Sequence, residues 1–152
     1  MKVCEEGIAP ELKDFVAKTM PRDPFLDFMG CELLALEGGR SRFRIYIDEK
    51  THINRLGTVH GGVLGAFSDI VMGWACRAYG YILVTISLHC NYIRPVQKNT
   101  YLYGEGRVIH KGKKTMVTEC EFRDEEGTLA VKGQGSFFVI KKLDLANLAD
   151  EI

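Results

Sequence analysis

The run Asn54-Arg55-Leu56-Gly57-Thr58-Val59-His60-Gly61-Gly62, with the apolar segment that continues from it to about Tyr79, restricts the fold more than any other stretch of this chain. Val63, Phe67, Ile70, Val71, Trp74 and Ala78 recur at three- and four-residue spacing with no Pro among them, which predicts one long helix. Its other positions are small: Gly61, Gly62, Gly65, Ala66, Gly73 and Ala75. Each interior Gly costs about 1 kcal/mol against Ala in a helix, so a helix that keeps them is one that another backbone must approach. The spacing therefore predicts a buried central helix with the rest of the chain wrapped around it. Asp69 is its only carboxylate, on the rows Gly62-Ala66-Asp69-Gly73 and Gly65-Asp69-Met72-Cys76. A charge among such small side chains must be paired, hydrated or used. A structural Asp at the edge of the buried surface is the commoner outcome, so Asp69 needs a second signal before it counts as catalytic.

The flanking chain reads mostly as strands. Residues 10–20 form a short amphipathic helix with Leu12, Phe15, Val16 and Met20 on one side, ended by Pro21 and Pro24. Phe25 to Gly30 is apolar without a period and reads as a loop packed on the core. Strands are expected at 31–37, 41–48, 82–93, 101–109, 115–123 and 128–140, separated by turn signals such as Gly38-Gly39 and Glu126-Gly127. In the strand from Ile82, strict alternation puts Val84, Ile86, Leu88, Cys90 and Tyr92 on one face and Thr85, Ser87, His89 and Asn91 on the other. Gly104 and Gly106 mark a bend or a close approach. Gly80 fits the C-terminal cap of the helix. The tail from about Lys141 is charged and is expected to be loose. Two strands, one long helix and four strands without βαβ alternation give the α+β class, a curved antiparallel sheet around one helix. Exposed sheet edges and apolar surface then favour a homodimer.

The 152 residues suit one domain, spanning 1–152 with its core at about 25–140. Lys plus Arg and Asp plus Glu number 20 each, so no basic excess points to nucleic acid. The first ten residues lack the basic start and apolar core of a secretion signal, and no apolar run reaches the ~20 residues of a membrane span. Five scattered cysteines without zinc-like spacing read as buried, reduced thiols in a cytoplasmic protein. His52, His60, His89 and His110 also lack ligand spacing, so neither a metal nor a cofactor is expected.

A helix that opens at Gly61-Gly62 offers N–H groups without intrahelical partners, a positive dipole end and room for a ligand. These suit a phosphate, a carboxylate or the oxyanion of acyl transfer. Asn54 and His60 lie just ahead, and Asp69 two turns on. Gly61 and Asp69 are roughly 12 Å apart along a helix rising ~1.5 Å per residue, too far to act on one carbon. If both do act on it, they come from different subunits.

Asn-x-x-Gly-x-x-His-Gly-Gly with an Asp nine residues after the His resembles the hotdog-fold acyl-CoA thioesterases of the phenylacetate-degradation (PaaI-like) type. The likeness runs from about Phe28-Met29-Gly30 to Phe138 and includes Asn91-Tyr92-Ile93-Arg94-Pro95 and the Lys-Gly-Lys-Lys hairpin. It implies a hotdog fold, paired subunits that assemble further into tetramers, and hydrolysis of an acyl-CoA to a free acid and CoA. By resemblance, Gly61 donates its N–H to the thioester carbonyl, Asn54 positions the acyl group or the water, and the partner's Asp69 is base or nucleophile. Thr85 then holds the water or Asp69. His60 orders the loop next to the substrate, beside Gly62. The CoA phosphates need cations, for which Arg94, Lys98, Arg107, Lys111, Lys113 and Lys114 are the candidates, the Lys111–Lys114 turn first among them. Trp74, Phe67 and Met72 read as core. The rivals are a non-catalytic acyl-CoA-binding hotdog protein and, further off, a hotdog dehydratase or hydratase, whose Pro-rich or Gly-Asp-x-Asn-Pro loop is missing.

Overall fold

The computed structural model describes residues 2–145 and residue 148. A short strand β1 (Lys2–Val3) leads through helical turns to α1 (Lys13–Thr19) and α2 (Pro24–Met29). There follow β2 (Cys31–Glu37), β3 (Arg40–Tyr46), α3 (Gly61–Arg77), β4 (Tyr81–Tyr92), β5 (Tyr101–Lys111), β6 (Thr115–Arg123) and β7 (Leu129–Lys142). The strands form one seven-stranded sheet in the order β1-β2-β3-β5-β6-β7-β4. All pairs are antiparallel except β1 with β2. α3 lies on the inner face, as its residue spacing predicts: a hotdog fold.

No backbone closes on the glycines of α3, contrary to expectation: a Cβ at Gly61 or Gly65 would meet Tyr92, at Gly62 His60 and at Gly73 Phe137, all side chains, and the tight approach is made instead by glycines of the sheet. A Cβ at Gly106 would stand 2.7 Å from the Val71 carbonyl oxygen, and one at Gly104 would meet Phe122 and Phe67 within 3.0 Å. Buried Ser41 on β3 donates its hydroxyl to the same Val71 oxygen at 2.6 Å. Phe67 meets Phe122 with ring centroids 4.6 Å apart, and Trp74 sits between Phe15 and Phe43 at 6.0 and 6.4 Å. Phe67, Met72 and Trp74 are all core.

Four further expectations are corrected. Phe25 to Gly30 is not a loop but belongs to α2. Asp23 caps it by accepting from the Phe25 and Leu26 N–H groups, Pro24 fills its first position, and Gly30 ends it in the left-handed region at φ 64°. The missing period has a cause: Leu26 and Met29 face the core while Phe25 and Phe28 face out. β4 does not alternate strictly. Its register against β7 shifts between Thr85 and Ser87, so Ile86 is an extra residue. Thr85, opposite Phe137, therefore shares the inner face with Leu88, Cys90 and Tyr92, which lie opposite Gly135, Gly133 and Val131. The described part of the tail is packed rather than loose. Lys141 and Lys142 end β7, the Leu143 N–H donates to the Gly80 carbonyl at 2.7 Å, and Leu143 and Leu148 are buried; residues 146, 147 and 149–152 lie outside the described residues. Cys4, finally, is exposed. Cys31, Cys76 and Cys120 are buried as expected, and burial pushes their thiols up to about 12.

Candidate active site

Asn54 closes the loop that delivers α3. Its Oδ1 accepts from the N–H groups of Leu56 and Thr58 at 2.8 and 3.3 Å, and its Nδ2 donates to Thr58 Oγ1 at 3.0 Å. Its backbone N–H bonds the Thr58 carbonyl, and Gly57 takes the left-handed conformation the turn needs, at φ 82°. The next bond, from the His60 N–H to the His52 carbonyl at 2.8 Å, hands the chain to the helix.

His60 then satisfies most of the first turn. Its Nδ1 accepts from the Gly62 N–H at 2.9 Å, and its carbonyl accepts from Val63 and Leu64 at 2.9 and 3.3 Å. Of the first four N–H groups of α3, only that of Gly61 has no acceptor among the described residues. Gly62 is thus taken by the cap, and Gly61 is the donor left over. It opens on a shallow cavity of about 280 Å³ whose walls include Asn54, Leu64, Tyr92, Ile93 and Arg94. Arg94 is exposed and has no ion pair among the described residues.

Asp69 is half-buried, and Thr85 Oγ1 donates to its Oδ1 at 2.6 Å. The bulge at Ile86 makes this contact possible by keeping Thr85 on the helix side. Arg77, eight residues on, stands in the field of Asp69 and Asp23. Burial lowers the pKa of its guanidinium, and the two carboxylates oppose that shift. The site is open along β4, the terminal strand of the sheet. From Val84 to Tyr92 both of its faces are uncovered: Val84 is 50%, Ile86 57%, Leu88 39% and Tyr92 49% exposed.

Asn54, His60, Gly61, Gly62 and Arg94 thus gather at one end of α3, and Asp69 with Thr85 at its middle. The lysines lie elsewhere. Lys111, Lys113 and Lys114 are exposed around the β5–β6 turn. Lys111 Nζ rests 4.1 Å above the Tyr79 ring, beside the far end of the helix. No three His, Cys, Asp or Glu side chains gather into a metal site among the described residues.

One residue of the site escaped the sequence reading. Tyr92, read there on an apolar face and within the Asn91-to-Pro95 likeness but given no role, donates its hydroxyl to the Gly61 carbonyl at 2.7 Å. Its ring stands 3.0 Å from where a Gly61 Cβ would be, and its oxygen 3.4 Å from that of Gly65. Two glycines four apart on one helix row were the available signal: they leave room for a side chain as well as for a backbone.

Residues 56–131 match the family model of the thioesterase superfamily. A Saccharolobus solfataricus protein named "Putative esterase SSO2140" is 33% identical over 122 residues, 78% of this chain and 85% of the relative. Among solved structures, the E. coli PaaI protein from the phenylacetic acid degradation operon superimposes with a TM-score of 0.82 at 19% identity, over 87% of this chain and 95% of that one. A hypothetical thioesterase protein from Streptococcus pneumoniae, solved with coenzyme A, gives 0.74 at 23% identity, over 77% and 94% of the two chains.

Proposed function

This chain belongs to the thioesterase superfamily, with the hotdog fold of its PaaI-like members, and we propose that it hydrolyses an acyl-CoA thioester to the free acid and CoA as a homodimer. The observation that carries the reading is Asp69: a half-buried carboxylate held by Thr85 at 2.6 Å on the inner side of an unpaired strand edge. A carboxylate at such an edge is commonly structural, and the second signal here is the Gly61 N–H on the same helix, which has no acceptor among the described residues. The coenzyme A in the Streptococcus pneumoniae structure supports the choice of thiol.

In this reading the substrate carbonyl oxygen accepts from the Gly61 N–H of one protomer, which stabilises the oxyanion as charge builds. Asp69 of the partner subunit acts from the other side, since Gly61 and Asp69 of one helix stand roughly 12 Å apart. Thr85 occupies Oδ1 and leaves Oδ2 to react. Oδ2 either takes a proton from the water that attacks the carbonyl carbon or attacks that carbon itself, forming an anhydride that water then opens. In both routes the C–S bond breaks, and CoA leaves as the thiolate and gains a proton. Asn54 shapes the loop that borders the acyl group. Arg94, without an ion pair among the described residues, and the Lys113–Lys114 turn offer charge to the CoA phosphates. Lys111 is already drawn to the Tyr79 ring. Pairing of dimers into a tetramer follows the family pattern, and the buried reduced thiols fit the cytoplasm. No metal or cofactor enters the reaction.

Thiol release from a panel of aromatic, short and long acyl-CoAs tests this. Turnover on some member, falling at least ~100-fold in Asp69→Ala with CoA-ester binding retained, supports the reading, since a general base typically contributes 10²–10⁴. Binding without release from any member would instead make this a non-catalytic acyl-CoA-binding protein. Equal rates in the variant would return Asp69 to a structural role.

A further inference from the structure

We infer that Tyr92 is a positioning residue of this site: with His60 it clamps the Gly61–Gly62 peptide and so fixes the adjoining Gly61 N–H, which has no acceptor among the described residues. The inference rests on the thioesterase reading above and adds to it a residue that neither the motif nor the family likeness assigns.

Two consecutive glycines at a helix start are a poor way to aim a donor. Neither has a Cβ to restrict its backbone, and the first turn of any helix lacks half of its hydrogen bonds. Here the peptide between them is held on both sides. Its carbonyl accepts from the Tyr92 hydroxyl at 2.7 Å, and its N–H donates to His60 Nδ1 at 2.9 Å. The preceding peptide is fixed through the His60 carbonyl, which takes the Val63 and Leu64 N–H groups. The Gly61 N–H lies on the peptide so held, and Gly61 and Tyr92 wall the same cavity.

This account also gives the glycines a reason. A Cβ at Gly61 would meet the Tyr92 ring at 3.0 Å, so a side chain there would push the ring back and loosen the clamp, and Gly lets it close fully. Tyr92 ends β4, the strand that also carries Thr85, seven residues earlier. One strand thus holds both parts of the machinery: the carboxylate through Thr85 and the oxyanion donor through Tyr92. His60 has a defined job in the same arrangement. Its Nδ1 caps the Gly62 N–H, the role a Ser, Thr, Asn or Asp side chain usually takes at a helix start.

The test uses the whole protein and three variants. Tyr92→Phe keeps the ring and removes the hydroxyl. His60→Ala removes the cap, and His60→Asn restores a side-chain acceptor suited to an N-cap without an imidazole. Two readouts apply: kcat and KM for thiol release, and NMR of the Gly61 carbonyl carbon and the Gly62 amide. Tyr92→Phe should lower kcat ~10-fold with KM within ~2-fold, because a misaimed donor loses transition-state rather than ground-state contact. It should also shift the Gly61 carbonyl resonance. His60→Ala should speed exchange of the Gly62 amide and lower kcat, and His60→Asn should rescue both.

An unmoved Gly61 carbonyl or wild-type kcat in Tyr92→Phe overturns the proposal. A His60→Asn variant that protects Gly62 yet stays slow overturns the His60 half and gives the imidazole a chemical role. A wild type that releases no thiol would defeat the thioesterase reading, while the two NMR signals still decide whether the clamp exists.

Discussion

Thr85→Val separates the chemistry of Thr85 from its packing. Val keeps the β-branched shape that suits a strand and removes only the hydroxyl. What is lost is one bond of 2.6 Å to Asp69 Oδ1. A hydrogen bond to a charged group contributes about 1.5–3 kcal/mol, and Thr85 is exposed, which favours the low end because water can replace part of it. About 1.5 kcal/mol taken from the transition state is roughly tenfold in rate. So kcat/KM for thiol release should fall about tenfold in Thr85→Val and stay within ~3-fold of wild type in Thr85→Ser, which still has a donor.

The double-variant cycle carries the argument further. If Thr85 acts by holding Asp69, Thr85→Val introduced into Asp69→Ala should change the residual rate by less than ~2-fold, because residues acting as one unit are not additive. Initial rates at saturating and limiting substrate, with thermal midpoints as the folding control, measure all four proteins. A tenfold loss that persists without Asp69 would refute the reasoning, since Thr85 would then act on substrate or water alone. Wild-type activity in Thr85→Val would show that the bond contributes nothing to the reaction.

Gly106→Ala should destabilise the fold by about 2–3 kcal/mol, as overpacking does, because its Cβ would stand 2.7 Å from the backbone oxygen of Val71; a urea midpoint at the wild-type value would contradict this. Ser41→Ala removes a 2.6 Å bond to that same oxygen and should cost only about 1 kcal/mol in the same assay. Asp23→Ala should cost about 1 kcal/mol through loss of the α2 cap, seen as a lower thermal midpoint. A thiol reagent at pH 8, followed by peptide mass spectrometry, should label exposed Cys4 first and spare Cys31, Cys76 and Cys120. Their pKa values of about 12 keep them protonated far above that pH, so only unfolding should release them.

The central helix was legible because its apolar stripe and its glycines agree: one predicts burial, the others contact. The position of Asp69 could be read for the same reason, as the one carboxylate on that helix, set among its smallest side chains. Thr85 was placed in the site by resemblance, while strict alternation put it on the face opposite Leu88 and Tyr92. What that reading lacked was the bulge at Ile86, which no Gly, Pro or polar residue announces. A bulge is a property of the pairing between β4 and β7 and not of β4 alone. α2 was missed for a different reason. Its cap, Pro24 and Gly30 were all visible, but with two apolar residues inward and two outward the helix shows no period. Tyr92 was visible on one face of its strand and in the Asn91-to-Pro95 stretch, but nothing in the sequence tells that its hydroxyl reaches the helix start, because that contact depends on how β4 lies against α3.

The distribution of these residues bears on how the site is divided. β4 is the last strand of the sheet, yet Thr85 and Tyr92 both lie on it, one holding the carboxylate and the other touching the helix start. A strand with one open edge and both faces exposed is a weak place to anchor catalytic groups, because edge strands fray and pair with other chains. Burial of that edge by a second copy would turn the weakness into precision. It would order β4, bring the Asp69 of one chain toward the Gly61 of the other, and bury the apolar side chains of Val84, Ile86 and Leu88. Stability of the edge and competence of the site would then be a single property. Dilution below the dimer dissociation constant should remove activity and β4 amide protection together, and activity that survives in a monomer would break that link.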